Sequence, residues 1–144
     1  MKFEELKIKL HLSADEAQTN WHRHTEGGGW VQNTADIGDE VFVGPKAVVY
    51  GTSKITGRVV ITDSAIVGGD SSITAHEGGS VLVNGDSAIK GSAAITANNG
   101  EKITIRNERV ESRNITAQDC RPPAALHSIS GCFAEIGRDL TAVR

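Results

Sequence analysis

An aliphatic residue recurs at every sixth position of this chain through eight consecutive repeats. An α-helix repeats about every 3.6 residues and a strand every 2, so neither produces a sustained spacing of six. A short fixed repeat instead predicts a β-solenoid, in which each repeat supplies one short strand and one corner and successive coils stack. The eight residues are Val31, Ile37, Val43, Val49, Ile55, Ile61, Val67 and Ile73.

Three such hexads make one coil of 18 residues and align the aliphatic side chains in three columns. The alignment requires four extra residues between Ile73 and Val83 and four more between Ile95 and Ile105. Both insertions fall at the same corner of consecutive coils, which supports the three-hexad coil independently of the first series. Residues 29–117 are therefore predicted to form an all-β solenoid of about four to five coils. The columns are Val31, Val49, Val67 and Ile89; Ile37, Ile55, Ile73 and Ile95; and Val43, Ile61, Val83 and Ile105.

Residues 1–28 form a separate N-terminal segment with two local patterns. Apolar residues alternate with polar ones from Leu6 to Leu12, which predicts a strand with one buried face. Ser13 and Glu16 have the spacing of a capping box, which predicts a short helix from Ala14 to about residue 22 or 23.

Residues 118–144 form a C-terminal appendage whose apolar positions follow a helical pattern. The spacing alternates between three and four, which predicts an amphipathic helix packed on another surface. A second interpretation stays open, because residues 134–139 (AEIGRD) mimic residues 35–40 (ADIGDE) and could continue the solenoid. The apolar positions are Leu126, Ile129, Phe133, Ile136, Leu140 and Val143.

Composition and motifs argue against several classes of protein. The net charge of −3 does not supply the basic field of a nucleic-acid-binding protein. No apolar run approaches the ~20 residues of a membrane span, and Glu4 and Glu5 lie where a secretory signal would be apolar, so we expect a cytoplasmic protein. Cys120 and Cys132 do not make a disulfide framework, and we expect both to be structural thiols. No phosphate loop, nucleophile elbow or paired-carboxylate motif predicts a cofactor.

Two of the three solenoid faces are predicted to be apolar outside as well as inside. The outward positions of the first face are Trp30, Val48, Ile66 and Ala88, and those of the third are Phe42, Val60, Leu82 and Thr104. Apolar stripes of this length are unusual on a monomer, so another subunit, the N-terminal segment or the C-terminal appendage should cover them. Aromatic residues are typical of interface cores, which favours a homo-oligomer, either a dimer or a trimer.

The hexads resemble those of the left-handed parallel β-helix superfamily of hexapeptide-repeat proteins. The resemblance lies in residues 35–40, 41–46 and 47–52 (ADIGDE, VFVGPK and AVVYGT), where a small residue precedes the aliphatic one by two. It implies a left-handed coil. Residues 27–33 (GGGWVQN) are also similar to the start of the repeats in polymer-forming proteins of bacteria and phages, many of which have no assigned activity. Better-known members are acyltransferases and γ-class carbonic anhydrases, typically trimers with sites between subunits.

Only one histidine lies inside the repeats, which limits the family activities that this chain could share. His76 falls in the first insertion and could serve as the general base of an acyltransferase at a subunit interface. Glu77 could orient a substrate amine, and Asn98 and Asn99 should lie one coil away, although the same residues could form a solvated corner. The histidines do not recur at coil spacing, so no three-histidine metal site is predicted.

These observations favour a non-catalytic protein over an enzyme. We expect a self-associating binding or scaffold protein that presents a β-helix surface to a protein partner, such as a bacterial or phage accessory or inhibitor protein. The alternative is a hexapeptide-repeat acyltransferase with His76 as general base.

Overall fold

The computed structural model of the chain describes residues 2–120 and 131–136. It is a β-solenoid of about four turns, as the repeat predicts, and it has one short N-terminal helix. The elements in chain order are α1 (Phe3–Leu10), a 3-10 turn (Gln18–Asn20), β1 (Trp21–Arg23), β2 (Trp30–Gln32), β3 (Asp36–Ile37), β4 (Phe42–Val43), β5 (Val48–Val49), β6 (Lys54–Thr56), β7 (Val59–Ile61), β8 (Ile66–Val67), β9 (Ser72–Ala75), β10 (Ser80–Asn84), β11 (Ala88–Lys90), β12 (Ala94–Ala97), β13 (Glu101–Arg106), β14 (Arg109–Glu111), β15 (Asn114–Ile115), a second 3-10 turn (Ala117–Asp119) and β16 (Gly131–Ile136).

Three sheets form the faces of the solenoid. The first has the order β1-β2-β5-β8-β11-β14, the second β3-β6-β9-β12-β15, and the third β4-β7-β10-β13-β16. The register confirms all three aliphatic columns: Val31 pairs with Val49, Ile37 with Ile55, and Val43 with Ile61. The core lies between the sheets, where the column residues are almost all completely buried.

Small polar residues complete this core without leaving unsatisfied groups. Ser53, Ser71 and Ser87 point inward, and each is at most 1% exposed. Each hydroxyl donates to the carbonyl oxygen three residues earlier, at 2.7 to 2.8 Å. A buried hydroxyl that keeps a hydrogen bond avoids most of the cost of losing water.

The N-terminal predictions were wrong in their secondary structure. Residues predicted as a strand form α1, because Phe3, Leu6 and Leu10 also lie on one helical face, with Leu6 fully buried and Ile8 76% exposed. The helix predicted from Ala14 is absent: residues 18–20 form a 3-10 turn and β1 follows. Strand β1 runs antiparallel along β2, where it pairs an otherwise open sheet edge.

The C-terminal helix prediction was wrong for residues 131–136. These residues form β16, which runs antiparallel to β13, so they also do not form a further parallel coil. The physical reason is that β16 pairs backbone groups along the last edge of the third sheet. Leu126, Ile129, Leu140 and Val143 lie outside the described residues.

The two cysteines form a disulfide, whereas the sequence predicted structural thiols. Cys120 and Cys132 have their Cα atoms 4.9 Å apart. Cys120 follows the second 3-10 turn, and Cys132 lies opposite Ile105 in the β13–β16 ladder. Because β16 folds back onto β13, it brings the two residues together across 12 positions of sequence.

Candidate functional site

The chain covers the apolar stripe of the first face itself. Phe3 and Leu6 of α1 pack with Trp30 and Val48, and the Phe3 and Trp30 rings meet edge to face with centroids 5.6 Å apart. Trp30 is 3% exposed and Val48 is fully buried. Both residues were candidates for partner binding, and this structure leaves them almost no accessible surface. Ile66, the third candidate on this face, is half-buried.

Lys9 of α1 binds the helix to the solenoid through two hydrogen bonds. Lys9 Nζ donates to the carbonyl oxygens of Lys46 and Ser64, at 2.9 and 3.1 Å. Burial lowers the pKa of Lys9, and the negative charge of Asp86 opposes that shift. The contact fixes the C-terminal part of α1 at the corner between the third and first faces.

The third face keeps an accessible apolar stripe, here called the third-face stripe and defined as Phe42, Val60 and Leu82. Backbone register aligns Phe42 with Val60 and Val60 with Leu82 on successive coils. Phe42 is 38% exposed, and Val60 and Leu82 are half-buried. The described part of the chain therefore presents this stripe to solvent, in contrast to the first face.

The two insertions build a ledge of stacked turns at the corner between the second and third faces. The ledge comprises residues 76–79 and 98–100. His76 N–H donates to the Ala97 carbonyl oxygen at 2.9 Å, and Gly100 N–H donates to the Gly78 carbonyl oxygen at 2.9 Å. The buried carboxylate of Glu101 accepts from the Asn98 N–H at 2.8 Å and closes the second turn. The structure thus brings the predicted residues His76, Glu77, Asn98 and Asn99 to neighbouring exposed positions.

Beside the ledge lies a recess that the sequence pattern did not reveal. Its volume is about 420 Å³. The first two coils lack the insertion, so the turn at residues 76–79 extends past the shorter corners of those coils. The insertions could have predicted that a recess forms beside the longer turn. They could not have predicted which residues line it, because Glu40 and Arg58 come from other coils. The recess is lined by Glu40, Arg58, Ala75, His76, Glu77, Gly78 and Gly79.

Two other histidines have structural contacts. His22 Nδ1 lies 2.7 Å from Asn33 Oδ1, and His24 Nε2 lies 2.6 Å from the Val41 carbonyl oxygen. Within residues 2–120 and 131–136, no group of three or more His, Cys, Asp or Glu side chains could hold a metal ion. His127 lies outside that part of the chain.

Among the helices that the structure describes, none has the length and apolar character needed to cross a membrane. Comparisons with protein-family models, curated proteins and solved structures found no significant match to this chain. The surfaces described above are therefore the basis for inferring a function.

Proposed function

We propose that the protein is a non-catalytic, self-associating binding or scaffold protein that makes its contacts through the third-face stripe. The observation that carries this proposal is the difference between the two apolar faces. The N-terminal segment buries the first stripe, while Phe42 at the end of the third-face stripe remains 38% exposed. A row of an aromatic and two aliphatic side chains is typical of the core of a protein interface.

The sequence pattern supports a wider context for this role. We propose that the chain is a member of the hexapeptide-repeat left-handed β-helix superfamily, because its hexads have the residue types of that family. Its similarity at residues 27–33 to polymer-forming proteins of bacteria and phages supports an accessory or inhibitor role. The partner of such a protein would be another protein.

The test is the solution mass of the full chain measured over a range of concentrations. Wild type should exceed the mass of one chain, while Phe42→Glu and Leu82→Glu should be monomeric because a carboxylate in an apolar contact loses its hydration. Ser72→Glu is the matched control, since Ser72 is an outward position of the polar second face. A wild type that is monomeric at every concentration would contradict the proposal.

A second candidate function is an acyltransferase with His76 as general base. The recess favours it, because His76 and Arg58 both line this concave surface, whose volume of about 420 Å³ is large enough for a small acceptor. His76→Ala should then abolish transfer from acetyl-CoA without changing the melting temperature. Failure of acetyl-CoA to raise the melting temperature of wild type would count against this function.

A further inference from the structure

We propose that the recess beside the ledge binds a free basic amino acid such as lysine, which carries one carboxylate and two cationic groups. The inference goes beyond the proposed self-association and does not depend on it, because the residues of the recess lie outside the third-face stripe. It follows from the order of the charges that line the recess.

Three successive coils build the recess, and each contributes one charged residue. Strand register aligns β4 with β7 and β7 with β10, so Glu40 and Arg58 occupy the same position on the first and second coils. Glu77 lies on the third coil, in the turn that the Gly79 N–H closes by donating to the His76 carbonyl oxygen at 2.8 Å. Coils are ~4.8 Å apart, so the charges run negative, positive, negative over roughly 10 Å.

Small residues on a well-held turn leave the space between these charges open. Ala75, Gly78 and Gly79 complete the lining, and the volume of about 420 Å³ is ordinary for a small-molecule site. The next coil holds the turn in place, because the Gly78 carbonyl oxygen accepts from the Gly100 N–H at 2.9 Å. The recess is therefore present before any ligand arrives.

The charged side chains of the recess are available to a ligand. Glu40, Arg58 and Glu77 are all exposed. Among the residues that the structure describes, none of these three side chains makes a hydrogen bond or an ion pair, even though Glu40 and Arg58 are neighbours. Their charged groups can therefore turn toward a ligand without first breaking a contact.

The lining selects a ligand that carries both signs of charge. Two carboxylates and one guanidinium give it a net charge of −1 with His76 counted as neutral, which matches a ligand of net charge +1. Arg58 suits a carboxylate, because a guanidinium can donate to both of its oxygens. Glu40 and Glu77 come from coils two apart, so they suit two cationic groups at separate positions of the ligand. An α-carboxylate, an α-ammonium and a side-chain cation are the groups of a basic amino acid.

The openness of the site to solvent sets the expected affinity. Lysine has about ten non-hydrogen atoms, and contacts of ordinary efficiency then give a dissociation constant of about 1 mM. The constant should rise with added salt, because exposed charges are screened.

The test is a chemical-shift titration of the isotope-labelled full chain with L-lysine up to about 50 mM, well above the expected constant. The amide signals of residues 76–79 should move. Three analogues that each lack one charged group should bind about fivefold more weakly, near the upper limit for an exposed charge pair. Lysinamide lacks the carboxylate, norleucine lacks the side-chain ammonium, and Nα-acetyl-lysine lacks the α-ammonium.

Variants of the recess assign each contact. Arg58→Gln should bind lysine and lysinamide equally, because it removes the partner of the carboxylate. Glu40→Gln and Glu77→Gln should each weaken lysine binding by about fivefold. Glu111→Gln is the matched control, since Glu111 is an exposed glutamate of β14, and it should bind lysine as wild type does.

Four outcomes would overturn the inference. They are no shift with lysine, equal binding of norleucine, equal binding of Nα-acetyl-lysine, and lysine binding that the recess variants leave unchanged. Equal binding of Nα-acetyl-lysine would point instead to the C-terminal lysine of a peptide, which also lacks a free α-ammonium. None of these outcomes bears on self-association, which the solution mass tests separately.

Discussion

Replacing Gly57 by alanine should destabilise the protein more than the same change at Gly28 or Gly38. Gly57 has φ +86°, and a Cβ there would lie 2.8 Å from the Ala75 carbonyl carbon and closer still to its oxygen. The left-handed backbone costs a non-glycine residue about 1 to 2 kcal/mol. Overlap with fixed backbone adds about 1 to 3 kcal/mol. Alanine also restricts the unfolded chain, which raises the free energy of unfolding by about 0.4 to 1 kcal/mol. The net decrease in the free energy of unfolding should therefore be about 2 to 4 kcal/mol.

Two other glycines separate the conformational cost from the steric one. Gly28 has φ +77°, and a Cβ added there would have no neighbouring atom within 4 Å, so Gly28→Ala should lose only about 0.5 to 1 kcal/mol. Gly38 is outside the left-handed region and the nearest neighbour of an added Cβ would be 3.5 Å away, so Gly38→Ala should be neutral or slightly stabilising.

The assay is urea unfolding followed by tryptophan fluorescence. Trp21 and Trp30 are the only two tryptophans and are both buried, so their emission should report loss of the folded structure. Free energies from linear extrapolation can be compared if the slope with urea is unchanged. Equal losses for Gly57→Ala and Gly28→Ala would refute the reasoning, because they would show that the coils do not approach closely at Gly57.

Three further predictions address other parts of the structure. Leu6→Ala should lower the free energy of unfolding by about 2 to 4 kcal/mol, whereas exposed Ile8→Ala should change it by less than about 0.5 kcal/mol; equal effects would contradict the helical assignment of α1. Tyr50 is the only tyrosine, and burial raises its pKa above 10.0, so phenolate absorbance of the folded protein should appear at higher pH than in urea. Since the folded pKa is raised, Tyr50 contributes stability below pH 10.0 that is lost as pH rises through the folded pKa, and coincident titrations would contradict its burial. Cys132→Ser should cost about 3 kcal/mol and make unfolding insensitive to a thiol reductant, whereas a wild type already insensitive to reductant would argue against the disulfide.

The repeat predicted the solenoid because the spacing of residues along the chain is enough to set how successive coils stack. Each hexad supplies one inward aliphatic residue and one corner, so counting along the chain was enough to align Val31 with Val49 and Ile73 with Ile95. The two insertions were also placed correctly, since an insertion that leaves the columns aligned must protrude at a corner. The ledge that carries His76 followed from that count.

The secondary structure at the ends of the chain was harder to predict, because the apolar residues there fit both the period of a strand and the period of a helix. Leu6, Leu10 and Leu12 fit a strand, while Phe3, Leu6 and Leu10 fit a helix. Packing against Trp30 and Val48 decided in favour of the helix. Local pattern alone cannot resolve such a choice, because tertiary contacts supply most of the stability of a short helix.

The sequence by itself determined the coil, its three columns and the positions of its corners, because these depend on spacing alone. Only the tertiary structure decided which apolar face stays open, that Cys120 meets Cys132, and that Arg58 and His76 line one recess. Each of these joins residues from different coils or from a terminus folded back on the solenoid. Such contacts depend on where a distant segment finds the most apolar surface to bury or an unpaired sheet edge to complete, and no local pattern records that outcome.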